Sequence, residues 1–155
     1  MNEDVFGTSN GGNRLFMAAV LAVSFVPTAV ASLFQVPPGV DTSGAVRLGA
    51  AYPYVAILIA PVFETFFLQY TPVYLIQKYS LTGIARYALL LVPFTALHVL
   101  PAALAPSLVN GLGGACILGG CYLVAARRSH PWALVVTAGV HCLHNAVLLV
   151  ATTLG

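Results

Sequence analysis

The chain has 155 residues, of which 59% are hydrophobic and only 6% charged, with a mean hydropathy of +0.93. Soluble domains carry about 25% charged residues, so the composition excludes one and predicts an all-α, polytopic membrane helix bundle; about five spans of about 20 residues use up the length and leave one membrane domain over residues 1–155. The formal charge of +2 gives no footprint for nucleic acid, and the expected environment is the lipid bilayer.

Residues 1–13 (MNEDVFGTSNGGN) form a polar tail, and the first span comes next at 14–34. Ala29-Val30-Ala31 resembles a signal-peptidase site, but Glu3 and Asp4 are unlike a basic leader, so the span is expected to be retained. The turn-rich segment VPPGVDTSG leads to a second span at 50–76, SLTG to a third at 84–104, a short connection to a fourth at 108–126, and RRSHP to a fifth at 132–153. Pro61, Pro72, Pro93 and Pro101 lie within or at the ends of spans, where they predict kinks whose freed carbonyls neighbouring helices satisfy. Gly111, Ala115 and Gly119 recur every four residues, a small face that lets another backbone approach. Cys116, Cys121 and Cys142 form no C-x-x-C motif and read as small apolar residues.

Basic residues set an orientation. With five spans, Arg14, Lys78, Arg86, Arg127 and Arg128 fall on one side and only Arg47 on the other, which predicts a cytoplasmic N-terminus and an external C-terminus. The same residues gauge depth. Glu64 lies 14 residues before Lys78, His98 lies 12 after Arg86 and His141 lies 13 after Arg128, offsets of about 18–21 Å at about 1.5 Å per residue. Three ionisable side chains on three spans therefore share one layer of the membrane.

Glu64 is the only carboxylate within a span, and an acid at that depth costs about 2.5–3.5 kcal/mol on insertion scales, so it is expected to face partners inside the bundle. Acid and imidazole in a water-poor cavity supply general acid/base chemistry or, with Glu64, His98 and His141 as ligands and a water in the fourth position, a zinc site. Phe94 and His98 are four apart and stack on one helix face; His141 and Asn145, also four apart, can aim two donors at one developing oxyanion. Thr65 and Gln69 form a third such pair, capable of a neutral hydrogen bond beside Glu64. His144 lies near the face of His141 and can orient it, and His130, in the basic loop, reads as a solvated or headgroup residue.

Phe63-Glu64-Thr65-Phe66-Phe67-Leu68-Gln69, Phe94-Thr95-Ala96-Leu97-His98 and His141-Cys142-Leu143-His144-Asn145 resemble, in order, the three motifs EExxxR, FxxxH and HxxxN of the CPBP family of intramembrane proteases, which includes the CAAX prenyl endopeptidases and Abi-type bacteriocin-processing or immunity proteins. The resemblance covers roughly residues 58–150, so that 50–153 reads as a family-like catalytic core. It departs at Thr65 and Gln69, where the family commonly has a glutamate and an arginine; one charged pair gives way jointly to one neutral pair. The resemblance implies a metal-free glutamate mechanism in which Glu64 and His98 activate a water and His141 and Asn145 hold the oxyanion. It also implies a membrane-associated peptide or protein substrate and the prokaryotic cytoplasmic membrane. Two other functions use the same residues: a non-catalytic immunity or binding protein on this scaffold, which the Thr65 and Gln69 departures favour, and a small proton-coupled transporter with the acid and histidines as relay. Five spans without an inverted repeat speak against the transporter.

Overall fold

The computed structural model describes residues 10–31, 51–99 and 104–154. Five helices make up almost all of these: α1 (Asn10–Ala31), α2 (Tyr52–Lys78), α3 (Gly83–His98), α4 (Leu104–Ala126) and α5 (His130–Leu154). Four of them, α1, α2, α4 and α5, are long and apolar enough to cross a bilayer. The helix bundle read from composition is thus the fold, with two corrections. The first helix begins at Asn10, inside the segment read as a tail, while residues 32–34 and the VPPGVDTSG loop lie outside the described residues. The third span, expected over 84–104, is a helix of only 16 residues, about 24 Å long against a hydrocarbon core of about 30 Å.

Helix α3 stops at His98, and Val99 has already turned to φ −82°, ψ 117°. Because a broken helix at membrane depth is tolerated only where protein buries it or a cavity adjoins it, the end of α3 marks a place of interest.

Helix α4 is the hub. It packs on α1, α3 and α5, and 39% of its most apolar window is buried, against 11%, 22% and 28% for the other three spanning helices. Its glycines allow this. A Cβ on Gly111 would stand 3.1 Å from the Thr95 carbonyl oxygen and 3.2 Å from the His98 Cβ, one on Gly114 would meet Phe94 at 2.9 Å, and the Pro27 ring of α1 lies against Gly113. The small face read from Gly111, Ala115 and Gly119 therefore receives α3 at its first position, and at its third the Gln69 side chain of α2.

At one end of the bundle Val73, Ile76, Leu90, Tyr122 and Val136 form a core against which Phe16 and Met17 pack. The start of α1, the end of α2, the start of α3, the end of α4 and the start of α5 meet there, so Arg14, Lys78, Arg86, Arg127 and Arg128 share that end, as the alternation of spans requires. Its connections are well made. Leu81 N–H bonds to Ile76 O and Ser80 N–H to Gln77 O, with Ser80 at φ 50°, closing α2, and Ser129 caps α5 by accepting Trp132 N–H on its hydroxyl. Leu15, Phe63, Phe67, Ile84, Leu97 and Val135 point outward, over half exposed, a surface suited to lipid.

Two prolines reshape α2. Its α-helical hydrogen bonding widens to a π turn over Val55–Ile59, just before Pro61, and again over Phe66–Tyr70, just before Pro72. Ala60 N–H reaches back to Val55 O, and in that register the next carbonyl, Ala56 O, faces Pro61, which has no N–H to give. The second turn repeats the arrangement, with Thr71 N–H on Phe66 O.

Candidate functional site

The three residues assigned to one depth meet. Glu64 Oε2 lies 3.7 Å from His98 Nε2 and 3.7 Å from His141 Nε2, so α2, α3 and α5 contribute one side chain each to a single centre. Both separations exceed a direct hydrogen bond, so the three groups stand close without bonding one another. Glu64 and His98 are partly open, at 25% and 34% side-chain exposure, whereas His141 is buried at 7%.

Each imidazole is held differently. His98 closes α3, where the last carbonyls of a helix lack partners, and its Nδ1–H donates to Phe94 O at 2.8 Å. That bond fixes the tautomer: a neutral His98 turns the lone pair of Nε2 toward Glu64. The expected Phe94–His98 stack is present, with ring centroids 4.2 Å apart and planes 15° from parallel. Phe94 is itself buried and wedged at Gly114, so the α4 glycine sets the ring that sets the histidine. On His141, Nε2 faces Glu64 while the buried Nδ1 has no hydrogen-bond partner among the described residues.

Asn145 lies one turn from His141, as its spacing requires, but its amide is engaged. Nδ2 donates at 2.9 Å to Ala56 O, the carbonyl that Pro61 leaves without an N–H. The expectation that neighbouring helices satisfy proline-freed carbonyls is met here, and Asn145 is the residue that does it. An amide nitrogen carries two hydrogens, so one remains for another acceptor.

The Thr65–Gln69 pairing is not found. Both side chains are buried, and Thr65 Oγ1, Gln69 Oε1 and Gln69 Nε2 are without partners among the described residues. The π turn starting at Phe66 explains the difference: with i to i+5 hydrogen bonding, a side chain four residues on no longer stands directly above the first. His144 is engaged with α1. Its Nδ1–H donates at 2.8 Å to Ser24 Oγ, whose own hydroxyl donates to Leu21 O at 2.6 Å, and its ring stacks on Phe25 at 4.6 Å. His130 is not simply solvated; it is half-buried and hydrogen-bonded through Nδ1 to the fully buried Tyr122 hydroxyl at 2.9 Å.

Beside the centre lies a cavity of about 220 Å³, with His98, His141 and Asn145 on one wall and Ser24 and Thr28 of α1, with Asn110 of α4, on the others. At about 30 Å³ per water that volume holds about seven waters, or one large side chain. Ser24, Thr28 and Asn110 escaped the sequence reading. A signal existed, since Ser24 and Thr28 are polar residues four apart in an apolar span, but hydropathy alone does not say that α1 closes the site.

Glu64, His98 and His141 are also the residues that would hold zinc. Tetrahedral zinc with ligands at about 2.0–2.1 Å sets neighbouring ligand atoms about 3.3 Å apart, closer than the 3.7 Å seen twice here. Among the described residues no three His, Cys, Asp or Glu side chains are grouped to hold a metal. The residues as placed are set wider than the ion needs.

Compared with protein-family models, with curated proteins and with solved structures, the chain finds no match in any of the three.

Proposed function

We propose that the chain is an intramembrane endopeptidase that hydrolyses a peptide or protein substrate at or near its membrane segment, in the manner implied by the resemblance of its three motifs to the CPBP family. The observation that carries this reading is the position of one Glu64 oxygen 3.7 Å from both His98 and His141 beside a cavity of side-chain size. A water held between Glu64 and His98 gives a proton to the carboxylate, and its oxygen bonds to the scissile carbonyl carbon. The carbonyl electrons move onto oxygen, and the oxyanion is held by His141 Nε2–H and the second N–H of Asn145. As the oxyanion collapses, the C–N bond breaks and the proton passes from Glu64 to the leaving amine. One water is consumed and one acid and one amine are formed.

A second reading, a non-catalytic immunity or binding protein on the same scaffold, is favoured by the Asn145–Ala56 bond, which gives that motif residue a structural role, and by the neutral Thr65 and Gln69. Comparing peptide termini in membranes of cells carrying the wild type or Glu64→Gln separates the two. The protease reading expects a membrane peptide that is cut in the first and accumulates whole in the second; identical termini in both would leave the binding protein.

The orientation belongs to the same proposal. The end that gathers Arg14, Lys78, Arg86, Arg127 and Arg128 faces the cytoplasm. A reporter fused after Gly155 is expected outside and one inserted in the SLTG loop inside; finding both on one side contradicts it.

A further inference from the structure

Five buried side-chain atoms lack hydrogen-bond partners among the described residues: Glu64 Oε2, Thr65 Oγ1, Gln69 Oε1, Gln69 Nε2 and His141 Nδ1. Thr65 and Gln69 are each 1% exposed and His141 6%. A buried polar group without a partner forfeits its full hydration, and five together would weigh heavily against the small net stability of a domain. They are also grouped, since Glu64, Thr65 and Gln69 lie in succession along α2 and His141 faces Glu64 across the centre. Such a group points to small polar molecules that give and take hydrogen bonds, and ordered water is the molecule that fits.

A few polar contacts continue from there in one direction, set within the apolar core of the cationic end. Gln69 Oε1 lies against α4 at Gly119, where a Cβ would come within 3.3 Å. The next residues of α4 toward the cationic end include Cys121, which accepts the Thr137 hydroxyl at 3.6 Å, and Tyr122, which is bonded to His130. Thr137 is one turn from His141 on α5, and the ring of Tyr70, the neighbour of Gln69, stands 5.8 Å from that of His130. Thr137 and Tyr122 are 0% exposed and Cys121 3%, yet His130 opens to the end that bears Lys78 and Arg128.

We propose that Thr65, Gln69 and His141 hold a file of ordered water between α2, α4 and α5, reaching the cationic end at Tyr122 and His130, and that this file feeds the Glu64 centre from the side opposite the cavity. Its existence stands on the orphaned groups; its use rests on the hydrolytic reading. Each peptide bond cut consumes one water, and a substrate filling the cavity displaces water from that side. A second route supplies it.

X-ray hydroxyl-radical footprinting of the full chain in lipid nanodiscs tests this without any substrate, because radicals formed from bound water label the side chains touching it. Cys121 and Tyr122, which do not line the cavity, are expected to be labelled despite their burial. Gln69→Leu should lower that labelling roughly fivefold or more, while the exposed Tyr79 is labelled equally in both proteins. Thr65→Val, nearly unchanged in size, provides the same test if Gln69→Leu does not assemble. Unlabelled Cys121 and Tyr122 beside a labelled Tyr79 would overturn the file, and labelling undiminished in both variants would overturn the role given to Thr65 and Gln69. Labelling as expected in a protein that cuts nothing would keep the file and remove the protease.

Discussion

Glu64→Gln, His98→Ala and His141→Ala are each expected to end cleavage while leaving membrane insertion and expression near wild type. Glutamine at position 64 keeps the size of the side chain but cannot take a proton from water. The expected loss is roughly 10⁴-fold, about 5.4 kcal/mol at 1.36 kcal/mol per decade, the upper range for general acid–base catalysis. His98→Ala removes the lone pair that the Phe94 carbonyl aims at Glu64. His141→Ala removes a donor from the same point and leaves a hole beside the buried oxygen of Glu64. Since residues working as one unit lose their value together, Glu64→Gln combined with His98→Ala should be scarcely worse than either alone. Additive losses in steady-state kinetics would mean that the two act at separate steps.

Asn145→Ala is expected to cost about 3–4 kcal/mol of transition-state stabilisation, roughly a hundred- to thousand-fold in kcat, the usual scale for one oxyanion donor. The structure adds a second effect. Removing the amide strands Ala56 O, which Pro61 leaves unmatched, at a further cost to folding of about 1–3 kcal/mol. The two effects separate by measurement, the first in kcat of protein that remains folded and the second in thermal unfolding. A variant that unfolds earlier yet cuts at the wild-type rate would make Asn145 a clasp between α5 and α2 and nothing more. His144→Ala touches neither function directly; it releases Ser24 of α1 and should have the smallest effect on kcat of these variants.

Much of this centre could be read from the sequence because charge and length act along one axis in a membrane. Lys78, Arg86 and Arg128 fix where helices leave the bilayer, the rise per residue converts sequence offsets to depth, and the offsets of Glu64, His98 and His141 agreed closely enough to foretell their meeting. Rotation about the helix axis was harder to read. Each π turn in α2 takes one residue more than an α turn and swings the remainder of the helix by about 100°, so the four-residue spacing of Thr65 and Gln69 no longer implied contact. The prolines that cause the turns were visible; that the chain would widen and continue was not. The third span is expected from hydropathy to run past Pro101 to 104, whereas α3 ends at His98 and gives that histidine a free carbonyl to hold. The contribution of α1 through Ser24 and Phe25, and the Tyr122–His130 bond, join residues about 120 and 8 positions apart in sequence, and no local pattern announces either.

The measurement that bears most directly on the Glu64 centre is a single turnover by purified, reconstituted protein in ¹⁸O-labelled water after exhaustive chelation, using the membrane peptide that accumulates in the Glu64→Gln strain. Cleavage at the unchelated rate, with one ¹⁸O atom in the new carboxylate, far less than one zinc per chain and no product from Glu64→Gln, is the result expected if a water activated by Glu64 and His98 does the cutting. A peptide bound and recovered whole from the wild type, or cleavage lost on chelation and restored by zinc, would contradict it.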